Sequence, residues 1–294
     1  MILLAAVIVG TIVLGSIYAL MAIGLNLIYA VADVVQLAQG DMLVVGAYVG
    51  YLITRFVPNL FLAEIGAIVG CGLLGVVVQL LLFRPLAGRG HLPPLVAGLM
   101  LGTAIEEGLR ATFFQGNPVR YPSGATLSTS LFNVAGVPIS EAQVVIVAIV
   151  AVLAIGLNLL LNRTKLGLAM RAVAERPACA RMLGVPVATV VTLGFGLGSA
   201  LAGAAGVLIA VVFSYITPFI GIDLGFVALA ICLFGGLGSL SGAVIGAFIL
   251  AFTEQVTTIY IASSYKDAIA FTLIIVVMVF RPSGLMGRLV AERP

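Results

Sequence analysis

The sequence predicts an all-α protein, a polytopic integral membrane helical bundle with about eight or nine transmembrane segments. Hydrophobic residues make up 62% of the 294 residues, charged residues make up only 9%, and the mean hydropathy is +1.28. Soluble domains are only about half apolar. Apolar runs recur at the length of about 20 residues that a helix needs to cross a bilayer core about 30 Å thick. We therefore expect a single transmembrane domain over residues 1–294.

The first half of the chain contains five predicted spans. The amino terminus, MILLAAVIVGTIVLGSIYAL, has no basic leader, and its apolar run continues past any plausible cleavage site. These features favour a first span over a cleaved signal peptide. A loop rich in Pro, Gly, Ser and Thr separates the fourth span from the fifth. The predicted spans lie near residues 3–30, 36–56, 60–83, 95–114 and 141–161.

The second half contains four further apolar segments, near 187–212, 222–235, 239–259 and 266–281. The segment 222–235 is short for a span, so a re-entrant half-helix is the alternative. AIGLNL occurs at 22–27 and at 154–159, which in so narrow a composition favours coincidence over an internal repeat. Glycine pairs with small-xxx-small spacing predict close helix packing. These pairs are Gly46 and Gly50, Gly66 and Gly70, Gly194 and Gly198, and Gly242 and Gly246.

Basic residues predict the orientation, because cytoplasmic loops carry an excess of Lys and Arg. Ten of the 14 basic residues fall in three clusters, within 84–89, 163–181 and 281–293. The first 54 residues contain no Lys or Arg. With the three clusters inside, we expect the amino terminus outside, an outer loop over 116–140 and a cytoplasmic carboxy terminus.

The stretch RTKLGLAMRAVAERPACARMLGVP (163–186) is too polar for lipid and holds five basic residues. Leu166, Met170 and Val173 share one helical face. Pro177 suits the first turn of a second helix, and the Gly and Pro at the end of the stretch would stop it. The stretch is therefore predicted to form two short cytoplasmic helices. They would either rest on anionic headgroups or, as we favour, dock into a groove on a partner.

Polar side chains within the spans mark candidate sites, because an Asp at a helix centre costs about 2.5–3.5 kcal/mol. The densest group is VVQLAQGDM (34–42), where a glycine would let a helix break and expose backbone groups to a cavity. The alternative is that these side chains cap or join helices. The residues assigned to a translocation path are Asn26, Gln36, Gln39, Gly40, Asp41, Glu106 and Glu254, with Asp33, Glu107 and Asp223 as further polar candidates.

Several chemical motifs are missing from the sequence. GxxxxGK[ST] does not occur, so no phosphate-binding loop for ATP is expected. GGLGSLSG (235–242) fails the GxGxxG pattern. The three cysteines show no CxxC spacing and the single histidine, His91, stands alone, which argues against a metal site or a disulfide framework. We expect a protein that is not an enzyme, binds no cofactor and has no nucleic-acid partner.

Five blocks of the sequence resemble one family, in the order in which that family carries them. They are GSIYALMAIGLNLIYAVADVVQLAQGDM (15–42), FRPL (83–86), RTKLGLAMRAVAERPACARMLGV (163–185), FGGLGSLSGAVIGAFILAFTE (234–254) and SYKDAIAFTLIIVVMVFRPSGLMG (264–287). The chain resembles the membrane permease subunits of bacterial branched-chain amino acid ABC importers, of the LivH type. The resemblance extends over nearly the whole chain.

The resemblance implies a division of labour among subunits in the bacterial inner membrane. A second permease of the LivM type would complete the path, two ATPase subunits would bind beneath and carry ATP and Mg²⁺, and a periplasmic protein would deliver substrate. The amino terminus would be periplasmic. The stretch 163–186 would be the coupling region, seated in an ATPase cleft. Its assigned residues are Arg171, Glu175, Arg176, Pro177, Ala178, Arg181, Met182, Leu183 and Gly184.

One block departs from the family pattern. Where many members read Asn-Phe-Ala-His-Gly, this chain has Gln36, Leu37, Ala38, Gln39 and Gly40, without the aromatic ring and the histidine. The expected substrate is a branched-chain or related amino acid, with urea, short amides or aromatic acids as alternatives carried by relatives. A stand-alone secondary transporter or channel is the alternative of another class, and it would need no ATPase.

Overall fold

A computed structural model describes residues 2–90, 92–113, 117–121, 130–134, 137–281 and 284–286. His91, part of the outer loop 116–140, and the basic residues Arg288 and Arg293 lie outside the described residues. The described chain is almost entirely helical. Its α-helices are α1 (Ile2–Ala32), α2 (Gln39–Phe56), α3 (Leu60–Val78), α4 (Arg84–Leu86), α5 (Leu92–Thr112), α6 (Glu141–Arg163), α7 (Lys165–Glu175), α8 (Pro177–Met182), α9 (Val187–Phe213), α10 (Ile220–Gly235), α11 (Leu240–Tyr260) and α12 (Lys266–Phe280).

Six helices of the described chain are long and apolar enough to cross a membrane. This finding confirms the all-α, polytopic class, while the number of eight or nine segments stays a prediction. The helices α2, α5 and α10 are shorter or more polar and fall outside the six. The six candidates are Ile2–Ala32, Leu60–Leu86, Glu141–Arg163, Val187–Phe213, Leu240–Tyr260 and Ser263–Phe280.

Local signals explain where several helices begin. Asn59 precedes α3, and its side chain accepts hydrogen bonds from the backbone N–H groups of Phe61 and Leu62. Ser140 and Gln143 form a reciprocal capping box at the start of α6. Between α3 and α4, residues Gln79–Phe83 form a π-helical turn that joins the two helices into one candidate span.

Four short strands accompany the helices in the described chain. β1 (Val119–Arg120) pairs antiparallel with β4 (Tyr215–Ile216), so the outer-loop strand lies beside the end of α9. β2 (Ser130–Val134) and β3 (Val137–Ser140) form a second antiparallel pair that leads into α6. The strand pairs are small additions to a helical bundle.

Glycines let the central helices approach closely, as the small-residue spacing predicts. At the crossing of α1 and α9, a Cβ on Gly24 would lie 2.6 Å from the Gly198 carbonyl oxygen. A Cβ on Gly198 would lie 2.6 Å from the Gly24 oxygen, so the contact is reciprocal. Gly46 packs in the same way against the backbone of Gly203, whereas Gly70 makes only an ordinary contact. The bundle is therefore tightest at its centre.

Helices α1–α3 and α9–α11 share the same order and packing in antiparallel orientation, the arrangement expected of an inverted repeat. Each set begins with a long helix, continues through a short irregular segment, and returns through a shorter helix into a third one. The long helices end at Asp33 (φ 54°) and Ser214 (φ 60°), the two non-glycine residues of the described chain with positive φ. Helix α1 packs along α11 much as α9 packs along α3, and α1 and α9 run antiparallel. Such repeats place transporter sites where the interrupted helices meet.

Candidate functional site

The first turns of α2 and α10 meet at the centre of the repeat. A Cβ on Gly40 would collide with the carbonyl oxygen of Gly221 and would lie 2.6 Å from the Gly225 nitrogen. Only a glycine at this position allows the two helix starts to touch, because any side chain would force them apart. Two helix amino termini, each with about half a positive charge, therefore converge at one point.

Three polar side chains surround this meeting point, and all three are buried. Gln39 donates from Nε2 to the Gly198 carbonyl at 3.0 Å, which ties α2 to α9. The exposed fractions of Gln36, Gln39 and Asp41 are only 1%, 1% and 4%. Both amide atoms of Gln36, Oε1 of Gln39 and Oδ1 of Asp41 have no hydrogen-bond partner among the described residues. A buried polar group without a partner costs about 1–3 kcal/mol. A ligand or water that formed hydrogen bonds with these atoms would remove that cost.

The break in the helix lies before Gln39, and not at Gly40 where the sequence predicts it. The sequence suggests that Gly40 interrupts a helix over 36–56, with Gln36 and Gly40 on one face. In the structure α2 begins at Gln39, and Gln36 lies in the preceding turn, where its carbonyl accepts from the Gln39 N–H at 3.2 Å. The prediction was wrong because the chain turns away at Asp33, in the left-handed region, and Gly40 serves helix contact instead.

A cavity of about 170 Å³ opens between α2, α5 and α10, beside this cluster. Asp41 lines it from α2. Glu106 of α5 is half-buried and lies one turn beyond Gly102, which packs against the Asp41 carboxylate. The remaining lining residues are Leu37, Leu99, Gly102, Thr103, Ile222, Gly225 and Phe226.

Two of the predicted path residues lie elsewhere. Asn26 is fully buried and joins α1 to the loop before α11, accepting from the Gly238 N–H at 3.0 Å and donating to the Ser239 carbonyl at 3.1 Å. Glu254 accepts from the Tyr18 hydroxyl at 2.9 Å between α11 and α1. Neither side chain is among the residues that line the Asp41 cavity. Both have the partners that a structural role requires.

The predicted pair of short helices is present as α7 and α8. The Thr164 hydroxyl caps α7 by accepting from the Gly167 N–H at 3.1 Å. Met170 and Val173 of α7 are buried against the bundle, and Ala180 is the buried residue of α8. The other side of the pair faces outward. The exposed residues there include all those assigned to coupling, namely Arg171, Glu175, Arg176, Pro177, Ala178, Arg181, Met182, Leu183 and Gly184.

A family model described as "Branched-chain amino acid transport system / permease component" matches residues 7–278. The chain belongs to this family. It is 31% identical to the high-affinity branched-chain amino acid transport system permease protein BraD of Pseudomonas aeruginosa, over 95% of this chain and 94% of that protein. It is 30% identical to the corresponding protein LivH of Salmonella typhimurium, with the same coverage. LivM of Escherichia coli is 25% identical over 93% of this chain and 68% of its own length. No solved structure matches.

A second cavity of the permease, about 770 Å³, lies between the short helices α7 and α8 and the end of α1. Glu175 and Pro177 line one wall, while Tyr29 and Asp33 line another. The loop that Asn26 holds contributes Gly238 and Ser239. Helices α7 and α8 therefore lie directly beside the break that separates α1 from α2.

Glu64 was missed by the sequence reasoning. Its exposed fraction is 4%, and neither carboxylate oxygen has a hydrogen-bond partner among the described residues of the permease. Tyr121, whose N–H donates to the Ser214 carbonyl at 3.0 Å, is buried nearby, and burial raises the pKa of its phenol. The signal was available, because Glu64 stands alone in the apolar run LFLAEIGAIVG. The surface pair of Glu107 and Arg110, at 3.3 Å, shows the opposite case of a carboxylate with an obvious partner.

Proposed function

We propose that this permease is the membrane-spanning subunit of a bacterial ABC importer and forms half of a translocation path for branched-chain or related amino acids. The printed names of the relatives support the substrate class. A LivM-like permease would supply the other half of the path. Two ATPase subunits would supply ATP hydrolysis with Mg²⁺, and a periplasmic binding protein would deliver the substrate.

The observation that carries the proposal is the exposed apolar end of α8. Met182 is 88% exposed and Leu183 is 83% exposed, although the exposed side chains of Arg176 and Arg181 make this surface basic. Large apolar side chains this exposed at a polar surface fit an aromatic or aliphatic pocket on a partner. In the proposed importer that partner is the ATPase cleft.

Movement would pass from the coupling helices to the path through the cavity beside Asp33. Closure of the ATPases would press α7 and α8 against the end of α1, and the irregular segment after Asp33 would carry that shift to α2. The amino-terminal turns of α2 and α10 would then separate or close around Gly40. The separated and the closed arrangement of these two helix turns would be the two states whose populations nucleotide and substrate change.

The proposed arrangement in the membrane has nine segments, with α2, α5 and α10 added to the six candidate spans. The amino terminus is periplasmic and the carboxy terminus is cytoplasmic, because the basic clusters then lie inside. Helix α10, at 16 residues, is short for a full crossing, and its first turn meets that of α2. We nevertheless count it as a crossing, because eight crossings would leave the amino and carboxy termini on the same side.

The test is copurification of the ATPase with Met182→Asp. The variant places a charge in the proposed pocket, so we expect loss of the bound ATPase and of ATP-dependent uptake in reconstituted complexes, with normal insertion of the permease. Leu168→Asp is the matched control, because Leu168 is 62% exposed on the neighbouring helix α7 and is not assigned to coupling. Uptake that persists with no ATPase in the preparation would instead favour a stand-alone transporter.

A further inference from the structure

We propose that the cavity between α2, α5 and α10 is a binding site for an ammonium group, with Asp41 as its charged contact and Glu106 as a second negative charge. The ligand class is a small compound that joins a protonated amine to an apolar body. As a step in transport, this site rests on the proposed function, whereas the binding chemistry rests on the cavity itself.

The first step of the argument is the unused capacity of Asp41. Its side chain is 4% exposed and lines the cavity, and Oδ1 has no hydrogen-bond partner among the described residues. The first turns of α2 and α10 favour a negative charge at this point, since helix amino termini stabilise anions. Oδ1 is buried against α10 at Gly221, whereas Oδ2 lies beside Gly102, a residue that lines the cavity. A donor that enters the cavity would therefore meet the carboxylate at Oδ2.

The second step is the sign of the remaining charge. Glu106 adds a second carboxylate one helical turn beyond Gly102, the residue of α5 that packs against the Asp41 carboxylate. No Lys or Arg is among the described lining residues, and Arg110, further along α5, is paired with Glu107. The cavity therefore carries an excess of negative charge. A cationic head would be attracted there, a neutral amide would gain only hydrogen bonds, and a carboxylic acid without an amine would be repelled.

The third step is the shape of the site. The volume of about 170 Å³ equals that of roughly five or six waters at about 30 Å³ each, enough for an ammonium head and a few carbons. Leu99, Ile222 and Phe226 supply apolar walls beside the carboxylate. This combination of one charged corner and aliphatic walls matches an amine with an apolar body.

The test measures the electrostatic preference of the cavity with charged thiol reagents, so no substrate needs to be known. Thr103 lines the cavity, is exposed, and donates only to the Leu99 carbonyl of its own helix, so Thr103→Cys places a thiol there at little cost. The full-length variant would be treated with a trimethylammonium or a sulfonate methanethiosulfonate. We expect the cation-to-anion rate ratio, corrected by the ratio for free cysteine, to exceed about fivefold.

Native Cys179 is an internal control in the same molecule. It is exposed between Arg176 and Arg181, so its ratio should favour the anion. Glu106→Gln and Asp41→Asn, made separately in the Thr103→Cys background, should each lower the cavity ratio and leave the Cys179 ratio unchanged. Because Asp41 also lies in the first turn of α2, the Glu106 variant decides the result if the Asp41 variant fails to fold. Equal rates for both reagents at the thiol introduced by Thr103→Cys would overturn the proposal.

A protection assay then tests the ligand class. L-leucine and 3-methylbutylamine should slow modification of the Thr103→Cys variant in the cavity, whereas 4-methylpentanoate, which lacks the amine, should not. Protection by the acid alone, or by all three alike, would reject an ammonium site. The labelling experiments do not depend on ATPase binding. They can therefore reject the ammonium site while ATP-dependent uptake supports the importer, or support the site while uptake fails.

Discussion

At the scale of single residues, Gln39 occupies a closely packed position between three helices of the permease. Its amide lies where α1 and α9 cross, since a Cβ on Gly24 would be 3.0 Å from Gln39 Nε2, and that nitrogen donates to Gly198. Its Oε1 is buried without a partner among the described residues. The Nε2 hydrogen bond therefore fixes the side chain of Gln39, while its Oε1 has no protein donor. A path-lining amide that must release its ligand would have this character.

We predict that Gln39→Leu slows uptake several-fold without preventing assembly. The change removes a hydrogen bond worth about 0.5–1.5 kcal/mol and the free acceptor, while it keeps a side chain of similar size. Uptake and substrate-stimulated ATP hydrolysis in reconstituted complexes measure the effect. Gln79→Leu is the matched control, because Gln79 is also a buried amide with an unpartnered Oε1, but it lies in the π-helical turn after α3. Equal slowing by both variants would show that the effect is general to buried amides.

Sequence reasoning found the central polar cluster because Gln39 and Asp41 interrupt an apolar run. It also assigned Asn26 and Glu254 to the path, although each has a hydrogen-bond partner on a distant element. From the sequence alone, the expected cost of burying a polar side chain is similar for all four residues, because it depends on hydrogen-bond partners that the sequence does not identify. Partners as far away in the sequence as Ser239 is from Asn26 follow only from the fold.

At the scale of elements, the ends of α1 and α9 are the features to test. Asp33 and Ser214 both adopt the left-handed conformation, which costs a non-glycine residue about 1–2 kcal/mol. Asp33 lies beside α7 and α8, and the Ser214 carbonyl accepts a hydrogen bond from the Tyr121 N–H beside β1. The two turns are equivalent in the repeat, and each redirects the chain into a shorter helix.

We predict that Asp33→Val and Ser214→Val lower the thermal stability of the purified permease, whereas Asp33→Gly and Ser214→Gly do not. A β-branched side chain is disfavoured at positive φ, while glycine is tolerated there. Melting of the detergent-solubilised protein gives the comparison. Thr192→Val, at a half-buried position inside α9, tests whether a valine substitution lowers the thermal stability where φ is negative. Similar melting temperatures for the Val and Gly variants would show that these turns are not constrained.

The sequence predicted most helices but not these turns. Apolar runs located the spans to within a few residues, and Pro177 and Gly184 marked the limits of α8. The predicted spans 3–30 and 36–56 leave a gap around Asp33, but no glycine or proline there indicates a left-handed turn. Only a few per cent of non-glycine residues adopt a positive φ, although Asp is enriched among those that do. Tertiary contacts at Gly40, and not local sequence, decide where α2 begins.

At the scale of the whole molecule, the inverted repeat is the property that the sequence conceals. The repeated AIGLNL lies in α1 and α6, which do not occupy corresponding positions in the two sets of helices. The real correspondence lies in helix length, order and crossing, with Gly24 and Gly198 in reciprocal contact. Two apolar helices can keep the same packing with different side chains. The repeat also implies that α1 and α9 cross the membrane in opposite directions.

The last prediction concerns that crossing. Helix α9 has 27 residues and, at about 1.5 Å per residue, a length of about 40 Å, so its two ends must face opposite compartments if it spans. Native Cys179 is exposed before its start, and Arg120 is exposed in β1, opposite Tyr215 just after its end. In intact cells an impermeant maleimide should label Arg120→Cys, made with Cys179→Ser. It should reach native Cys179 only after permeabilisation.

The buried cysteines Cys71 and Cys232 should stay unreactive in both experiments and so provide the background. Each result has a separate meaning for the molecule as a whole. Labelling of Cys179 alone from outside would invert the orientation and remove the ATPase-facing role of α7 and α8. Labelling of both positions from one side would mean that α9 does not cross, and the inverted repeat would then lose its relation to the membrane. Opposite labelling with Cys179 inside is the outcome that the basic clusters and the repeat jointly require.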